Sequence, residues 1–456
     1  MNQQKSNCAN SGKDQLVDKL YGFAAQNNYI DPQLFDQYNV KRGLRNNDGT
    51  GVLVGLTQIG DVHGYTMDEG EKVPAEGCLR YRGINVEDIV QNCQDEGRFG
   101  FEEVCFLLLF GKLPNKEELA TFNEILSINR TLPDNFVEDV IFKGPSKNIM
   151  NKLARCILTC YSYEETPDDM NINQVLSRCI DLIAQVPSFV AYSYMAKRHY
   201  IDNKSLRIHI PREGQSTAEC FLHMIRPDKQ FTRTEAEILD LALILHAEHG
   251  GGNNSTFVTR VATSSGTDTY SAIAAGVGAL KGPKHGGANA KVMEMVEDLK
   301  ANVPNWEREE AVKEYLIKIL SKDAFDRSGL VYGMGHAVYT LSDPRAVLLK
   351  EKAKVLSKLK NMENEFSLYD TIERVTSELF FERKGSPLCA NVDLYSGFIY
   401  KMLDIPEDLY TSIFAIARVP GWCAHSMEEQ ISGGRIIRPA YRTLIQIKDY
   451  KPLNER

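Results

Sequence analysis

The sequence lacks the marks of several classes of protein. Its 456 residues include ten cysteines but no Cys-x-x-Cys pair and no paired clusters at zinc-site spacing, which excludes a zinc ribbon and a thioredoxin-like motif. No uncharged apolar run approaches the roughly 18 to 20 residues that span a bilayer. The richest stretches, 104–110 and 238–245, are shorter and read as buried helix segments. Basic residues are not in excess: 53 Lys and Arg face 61 Asp and Glu, a net charge of -8, which argues against nucleic acid as a main partner. The opening MNQQKSNCANSGKDQL has neither the apolar core of a secretory signal nor the Arg-rich pattern of a transit sequence, so a cytoplasmic location away from membranes is expected. There is no internal repeat and no low-complexity tract. What remains is an ordinary globular composition, 43% hydrophobic, long enough for a sizeable core and for about two to four domains.

Residues 1–50 are polar and end in the turn-rich RNNDGTG; the β-branched VLVGLTQIGDVHGY that follows predicts short strands or a hairpin, and together they read as an N-terminal arm. From about residue 84 the pattern is helical. Ile172, Val175, Leu176, Cys179, Ile180 and Ile183 line one face of a helix that Pro187 should limit. Thr232 and Glu235 have capping-box spacing ahead of a nearly all-apolar run, which places that helix in the core. Residues 261–282, rich in Gly, Ala and Ser, suit one helix packed closely on another. Gly276, Gly278 and Gly282 miss the spacing of a dinucleotide fingerprint and follow no strand-like run. Asp343 before Pro344 reads as an N-cap opening a helix toward Leu359, with further helices over 366–381 and 405–417. Cys156 and Cys160, four apart, share a helix face, where packing outweighs a metal or redox pair. The fold class is mainly α.

Four of the nine histidines gather in three Gly-rich segments: His246 and His249 in HAEHGGGNNS, His285 in GPKHGGAN, and His336 in GMGHAVY. His63, His199, His209, His223 and His425 stand in contexts that indicate structure alone. Glycine beside histidine lets the backbone approach a ligand closely. His246 and His249 could share a metal, but a zinc-protease helix needs spacing i, i+4, and HAEH is one residue short. Downstream, Asp393 lies in the apolar stretch NVDLYSG, and Arg345, Arg418 and Arg438 have small or apolar neighbours. Each arginine taken alone fits a structural ion pair. Several arginines with several histidines suggest a small substrate rich in carboxylates. Arginine forks grip carboxylates, a neutral histidine donates to a carbonyl or enol oxygen, and an aspartate in an apolar wall removes a carbon-bound proton. Those parts suit carbon–carbon bond formation through an enol.

At these segments the chain resembles the citrate synthase family, through GPxHGGAN, GxGHxVY followed by DPRA, NVDxYSG, and AR and RP segments near the C-terminus. With LRYRG at 79–83, GKLPNKEEL at 111–119 and LILHAEH at 243–249, the likeness runs in order over about residues 79–443. It implies a mostly helical homodimer, open to further assembly. A large domain would comprise 1–286 and 395–456, with 1–78 as an arm carrying short strands, and a small domain 287–394 would be inserted in it. It further implies that His285 hydrogen-bonds the thioester oxygen of acetyl-CoA while Asp393 removes a methyl proton, and that His336 polarises and protonates the oxaloacetate carbonyl. His249, Arg345, Arg418 and Arg438 would bind the carboxylates, Arg438 from the partner subunit, and Ser255 would orient His285. The citryl thioester is then hydrolysed. No metal or redox cofactor is implied, and acetyl-CoA is a substrate.

Two positions depart from the family pattern. Gly250 follows His249 where an acidic residue is frequent, and Thr340 stands four after His336 where relatives commonly carry a cation near the CoA phosphates. A 2-methylcitrate synthase acting on propionyl-CoA shares every motif, since one methylene changes specificity by only about 1 to 3 kcal/mol. A catalytically idle relative kept for assembly or metabolite sensing, a metal hydrolase on His246 and His249, and a regulatory nucleotide site in the N-terminal arm are the remaining readings. All three catalytic positions are intact, and the arm shows no phosphate-binding pattern.

Overall fold

A computed structural model describes residues 2–46, 49–68 and 71–456, the side chains of 2–13, 67–68 and 71–72 excepted. Cys8 and the Asn47–Asp48 step of the turn-rich stretch therefore lie outside the described side chains and residues. The chain forms two compact units, one up to Gly55 and one from Leu56 to Arg456. It is 59% helical with 5% strand, the mainly α class expected.

The first unit holds an unexpected helix, Asn2–Asn27, and a short one, Gln33–Gln37. Nothing in its first half signals a helix, because Cys8 and Ala9 are the only apolar residues between Asn2 and Gln15 and no periodicity can build.

In the second unit the predicted hairpin forms. Strand β1, Gly60–Asp68, pairs antiparallel with β2, Glu71–Tyr81, Gly60 lying opposite Tyr81, and β2 pairs with the two-residue β3, Ile84–Asn85. Pairing starts at Gly60 rather than in the upstream apolar stretch, where Leu53, Val54 and Leu56 are exposed. Helices then follow almost without interruption. The capping box at Thr232 and Glu235 is made, and the helix it opens, Arg233–His246, is buried along the predicted run. Asp343 caps Pro344–Leu359 as expected.

Three boundaries differ from expectation. Helix Ile172–Tyr200 runs straight through Pro187. An interior proline costs about 3 kcal/mol, but Phe189, Val190, Ala191, Tyr194 and Met195 beyond it are buried, and their burial outweighs one lost hydrogen bond. By length and composition this helix could cross a membrane, yet 72% of its most apolar window is buried inside the protein. The segment 261–282 is broken in two. Ser264 and Ser265 turn their hydroxyls back onto Val261 and Ala262, Gly266 adopts φ +80°, and Asp268 caps the next helix, Thr269–Leu280. The close packing foreseen is nonetheless present: a Cβ on Gly276 would lie 2.5 Å from Thr259 Oγ1 and 3.2 Å from the Trp422 ring. The helix expected over 405–417 is Tyr410–Ile431, entered through a short turn at Glu407–Leu409 after Pro406. It passes through the core in contact with helices Phe101–Phe110, Ile172–Tyr200, Arg233–His246, Asn254–Thr263 and Thr269–Leu280, and its Trp422 and Arg418 are fully buried. Cys156 and Cys160 are both buried in helix Ile149–Cys160, where burial pushes the Cys156 thiol up to about 11, so it stays a protonated packing group.

Candidate active site

The three Gly-rich segments converge. His246 ends helix Arg233–His246, fully buried, and its Nδ1 faces the Ala242 carbonyl at 2.7 Å one turn back. Burial holds its pKa down to about 3, so it is a neutral structural ring. His249 emerges three residues later, 3.2 Å through Nε2 from the Tyr339 hydroxyl, with its ring 5.1 Å from that of His336. Burial, helped by Arg345, His336 and Arg418, keeps its pKa well below the usual histidine value. His246 and His249 thus part company, and among the described residues no group of three or more His, Cys, Asp or Glu could hold a metal ion. Gly250, the first departure, has φ +80° and donates its N–H to Glu248 Oε1 at 2.5 Å, a closure any side chain there would strain.

His336 lies in the loop between Gly333 and Pro344. Its Nδ1 accepts from the backbone N–H groups of Val338 and Tyr339 at 3.0 and 3.2 Å, so a neutral ring carries its proton on Nε2 as a donor. Arg345, buried, is forked by Asp343 at 3.0 and 2.7 Å, which supplies the structural ion pair. Arg418 differs. Its Nε donates to the His246 carbonyl at 2.6 Å and its guanidinium lies 4.8 Å over the Phe414 ring, while the buried Nη1 and Nη2 make no hydrogen bond among the described residues. Burial pulls its pKa down to about 10 against the opposing pull of Glu248.

His285, at the edge of the same Phe414 ring, meets Ser255 Oγ through Nε2 at 3.0 Å. Ser255 also accepts from Trp422 Nε1 at 3.2 Å and donates its hydroxyl to Asn253 Oδ1 at 3.0 Å. Burial sets the His285 pKa at about 4, which leaves the ring neutral at neutral pH. Asp393 stands in the first turn of helix Val392–Met402, whose cap Asn391 ties it to the GMGH loop: Asn391 N–H donates to Gly333 O at 2.8 Å and Nδ2 to Gly335 O at 2.9 Å. Gly333 has φ +84° and presses on Leu394, so this contact requires glycine. Asp393 Oδ1 is shut off from solvent without a hydrogen bond, and burial pushes the carboxyl up to about 7 despite Arg345 nearby. Seven of the eight residues singled out from the sequence thus lie in linked contacts. Arg438 does not join them: it is exposed on an extended C-terminal segment.

The hairpin braces this cluster. Thr340, the second departure, turns its hydroxyl to Gly64 O at 2.7 Å, and Gly77 N–H donates to Ser342 Oγ at 3.1 Å. A Cβ on Gly77 would sit 2.2 Å from Ser342 O and 2.8 Å from Tyr339 Cδ1, so the strand cannot approach without glycine. Gly77→Ala should lower Tm by roughly 5 °C or more and raise the KM of whatever binds at His336 and Arg345. Gly278→Ala, which meets nothing within 4 Å in a helix, should do neither. Thermal melts of the two variants check this.

The family model for citrate synthase, C-terminal domain, matches residues 47–440. The chain belongs to the citrate synthase family. It is 34% identical to the citrate synthase of Synechocystis sp., over 84% of this chain and 89% of that one. It is 31% identical to 2-methylcitrate synthase 1 of Corynebacterium glutamicum, over 91% and 98%. Among solved structures it is similar to the citrate synthase of Thermoplasma acidophilum, determined as a ternary complex with carboxymethyl coenzyme A and oxaloacetate, with TM-score 0.75, 26% identity and coverage of 91% and 99%. The protein is accordingly an enzyme of the acyltransferase class, with citrate synthase-type activity.

Around the family's motif positions lie further residues that support the site. Glu248, fully buried, accepts at Oε1 from His425 Nε2 at 2.9 Å. The proton must be on Nε2, because His425 Nδ1 faces Arg260 Nη1 at 2.9 Å and a guanidinium only donates. Arg260 continues to Glu428 at 2.6 Å. His425 is therefore structural, as expected, but as the centre of a buried charged chain behind Arg418. Tyr339, Asp343 and Trp422 complete the surroundings; Tyr339 and Asp343 lie in the GMGHAVY and DPRA segments, where only Asp343 has a role readable from the sequence, as a helix cap, and Trp422 carries no sequence signal.

Proposed function

We propose that the protein condenses acetyl-CoA with oxaloacetate and water to give citrate and CoA. The observation that carries this reading is the juxtaposition of a cationic and imidazole-lined cluster, His249, His336, Arg345 and Arg418, with a half-buried carboxyl, Asp393, whose Oδ1 is shut off from solvent and whose pKa is pushed up to about 7. Asp393 takes a methyl proton from the thioester. For this step Ser255 turns its proton from Asn253 Oδ1 to His285 Nε2, which leaves the His285 ring its proton on Nδ1 to donate as a hydrogen bond to the enolate oxygen. The enolate carbon attacks the keto carbon of oxaloacetate, and His336 gives its Nε2 proton to the new alkoxide. Water then cleaves the citryl thioester. Arg345, Arg418 and His249 hold the carboxylates, with Ser255 as support.

In the same reading the enzyme is a cytoplasmic homodimer that needs no metal, with residues 287–394 as a small domain closing on the large one. The dimer is supported by the extended C-terminal segment, where Ile436, Tyr441, Ile445, Ile447 and Tyr450 are exposed, more apolar surface than a monomer keeps in water. Arg438 lies on that segment and would complete the site of the partner subunit. Arg438→Ala should weaken oxaloacetate binding. Mixing it with a subunit inactivated at Asp393 should restore part of the activity, and no rescue would argue against shared sites.

The likeness to a 2-methylcitrate synthase favours a second reading with propionyl-CoA as the acyl donor. Thiol release from acetyl-CoA and from propionyl-CoA, each with and without oxaloacetate and in the presence of EDTA, tests both. Release that requires oxaloacetate supports the condensation, and the ratio of the two kcat/KM values selects the acyl group. No release from the folded protein would favour an idle relative.

A further inference from the structure

Tyr339 lies at the centre of the cluster. It is 2% exposed. Its ring stacks on His336 with centroids 4.6 Å apart and planes at 29°, stands edge-on to His249 at 5.5 Å, and has the Arg345 guanidinium 5.7 Å over its face. Its backbone N–H donates to His336 Nδ1. The hairpin presses on it from behind, since a Cβ on Gly64 would lie 2.6 Å from Tyr339 Cα. One residue thus touches three of the five groups assigned to oxaloacetate.

The hydroxyl decides a proton position. A buried phenol requires an acceptor for its proton, and among the described residues its one hydrogen-bond partner is His249 Nε2. Tyr339 therefore donates, and His249 Nε2 is the bare nitrogen. A neutral His249 then carries its proton on Nδ1. His336 is set the opposite way by the two backbone N–H groups on its Nδ1. A bare imidazole nitrogen turned toward a carboxylate would repel it, so the fixed tautomers matter most for an anionic keto acid.

We infer that Tyr339 is a positioning residue, whose hydroxyl fixes His249 as an Nδ1–H donor and whose ring backs His336, so that both imidazoles present an N–H to the oxygens of oxaloacetate. This rests on the functional reading above. The test uses the full-length protein labelled with [15N]histidine, in which a bare ring nitrogen is distinguished from a protonated one, the His249 signals being assigned by their loss in His249→Gln. In the unaltered protein His249 should show a bare Nε2 and a protonated Nδ1, and Tyr339→Phe, which keeps the ring, should lose that preference. Calorimetric titration should show oxaloacetate binding about tenfold weaker in Tyr339→Phe, with the acyl-CoA KM unchanged. A protonated Nε2 on His249 in the unaltered protein would overturn the inference without any variant. So would oxaloacetate binding in Tyr339→Phe equal to that of the unaltered protein. If the unaltered protein takes up no oxaloacetate, the functional reading fails and this inference with it, an outcome visible before any variant is titrated.

Discussion

Asp393→Asn is expected to retain oxaloacetate binding while turnover falls by at least about a hundredfold, because the amide fills the same space and cannot accept the methyl proton. The same substitution should make the protein more stable at neutral pH. Asp393 titrates at about 7 in the folded chain against 3.8 for the unperturbed group, so between those values the native state holds a proton that the unfolded state has released. Stability therefore declines as pH rises through that window, by an amount on the order of a few kcal/mol once both states are ionised. Asparagine carries no such cost. Melting curves of the two proteins should nearly coincide near pH 4 and separate above pH 7 with the variant the more stable, and in the unaltered enzyme kcat/KM should rise as Asp393 ionises, levelling off above pH 7. Near-normal turnover in Asp393→Asn would remove Asp393 from the role of base. A loss of stability at pH 8 would show that its ionised form is held by contacts and is not disfavoured by burial.

What the sequence made legible follows from what a motif encodes. Gly-His and Asn-Val-Asp segments mark places where backbone and side chain are both constrained, so His249, His285, His336 and Asp393 could be picked out one by one. Caps are local too, which is why Thr232 and Asp343 begin helices where their spacing places them. Contacts between distant segments leave no such trace. The hold of Glu248 on His425 spans 177 residues and that of Thr340 on Gly64 spans 276, and neither pair has a spacing to read. Pro187 misled because the local rule against interior proline is strong, while the burial that overrides it comes from helices elsewhere in the chain. The helix Asn2–Asn27 was hidden for the opposite reason, since it shows no apolar periodicity in its first half. Arg438 was legible as a residue type but not as a place, because its segment meets little of its own body.

Arg418 and Arg345 look alike in sequence and should respond in opposite ways to replacement by leucine. Arg345 is forked by the buried Asp343, so Arg345→Leu leaves a carboxylate without its cation, a loss of about 3 to 5 kcal/mol. Among the described residues Arg418 has no carboxylate in hydrogen-bond contact: its Nε holds one carbonyl, its two terminal nitrogens meet no partner there, and burial has drawn its pKa down to about 10. A buried cation in that state destabilises the ligand-free fold, and Arg418→Leu exchanges it for apolar contact with Phe414. Glu248 would lose the pull of Arg418 but keep the His425 Nε2–H and the Gly250 N–H on its Oε1. The melting temperature of Arg418→Leu should stay level or rise. Its KM for oxaloacetate should rise by about 100-fold or more, the scale of losing one partner of a desolvated charge pair. Such a residue is held ready for a ligand carboxylate at the expense of the empty protein, whereas one paired within the chain serves both states. If Arg418→Leu melts as low as Arg345→Leu, or binds oxaloacetate normally, Arg418 is a structural cation and the carboxylate must be held elsewhere.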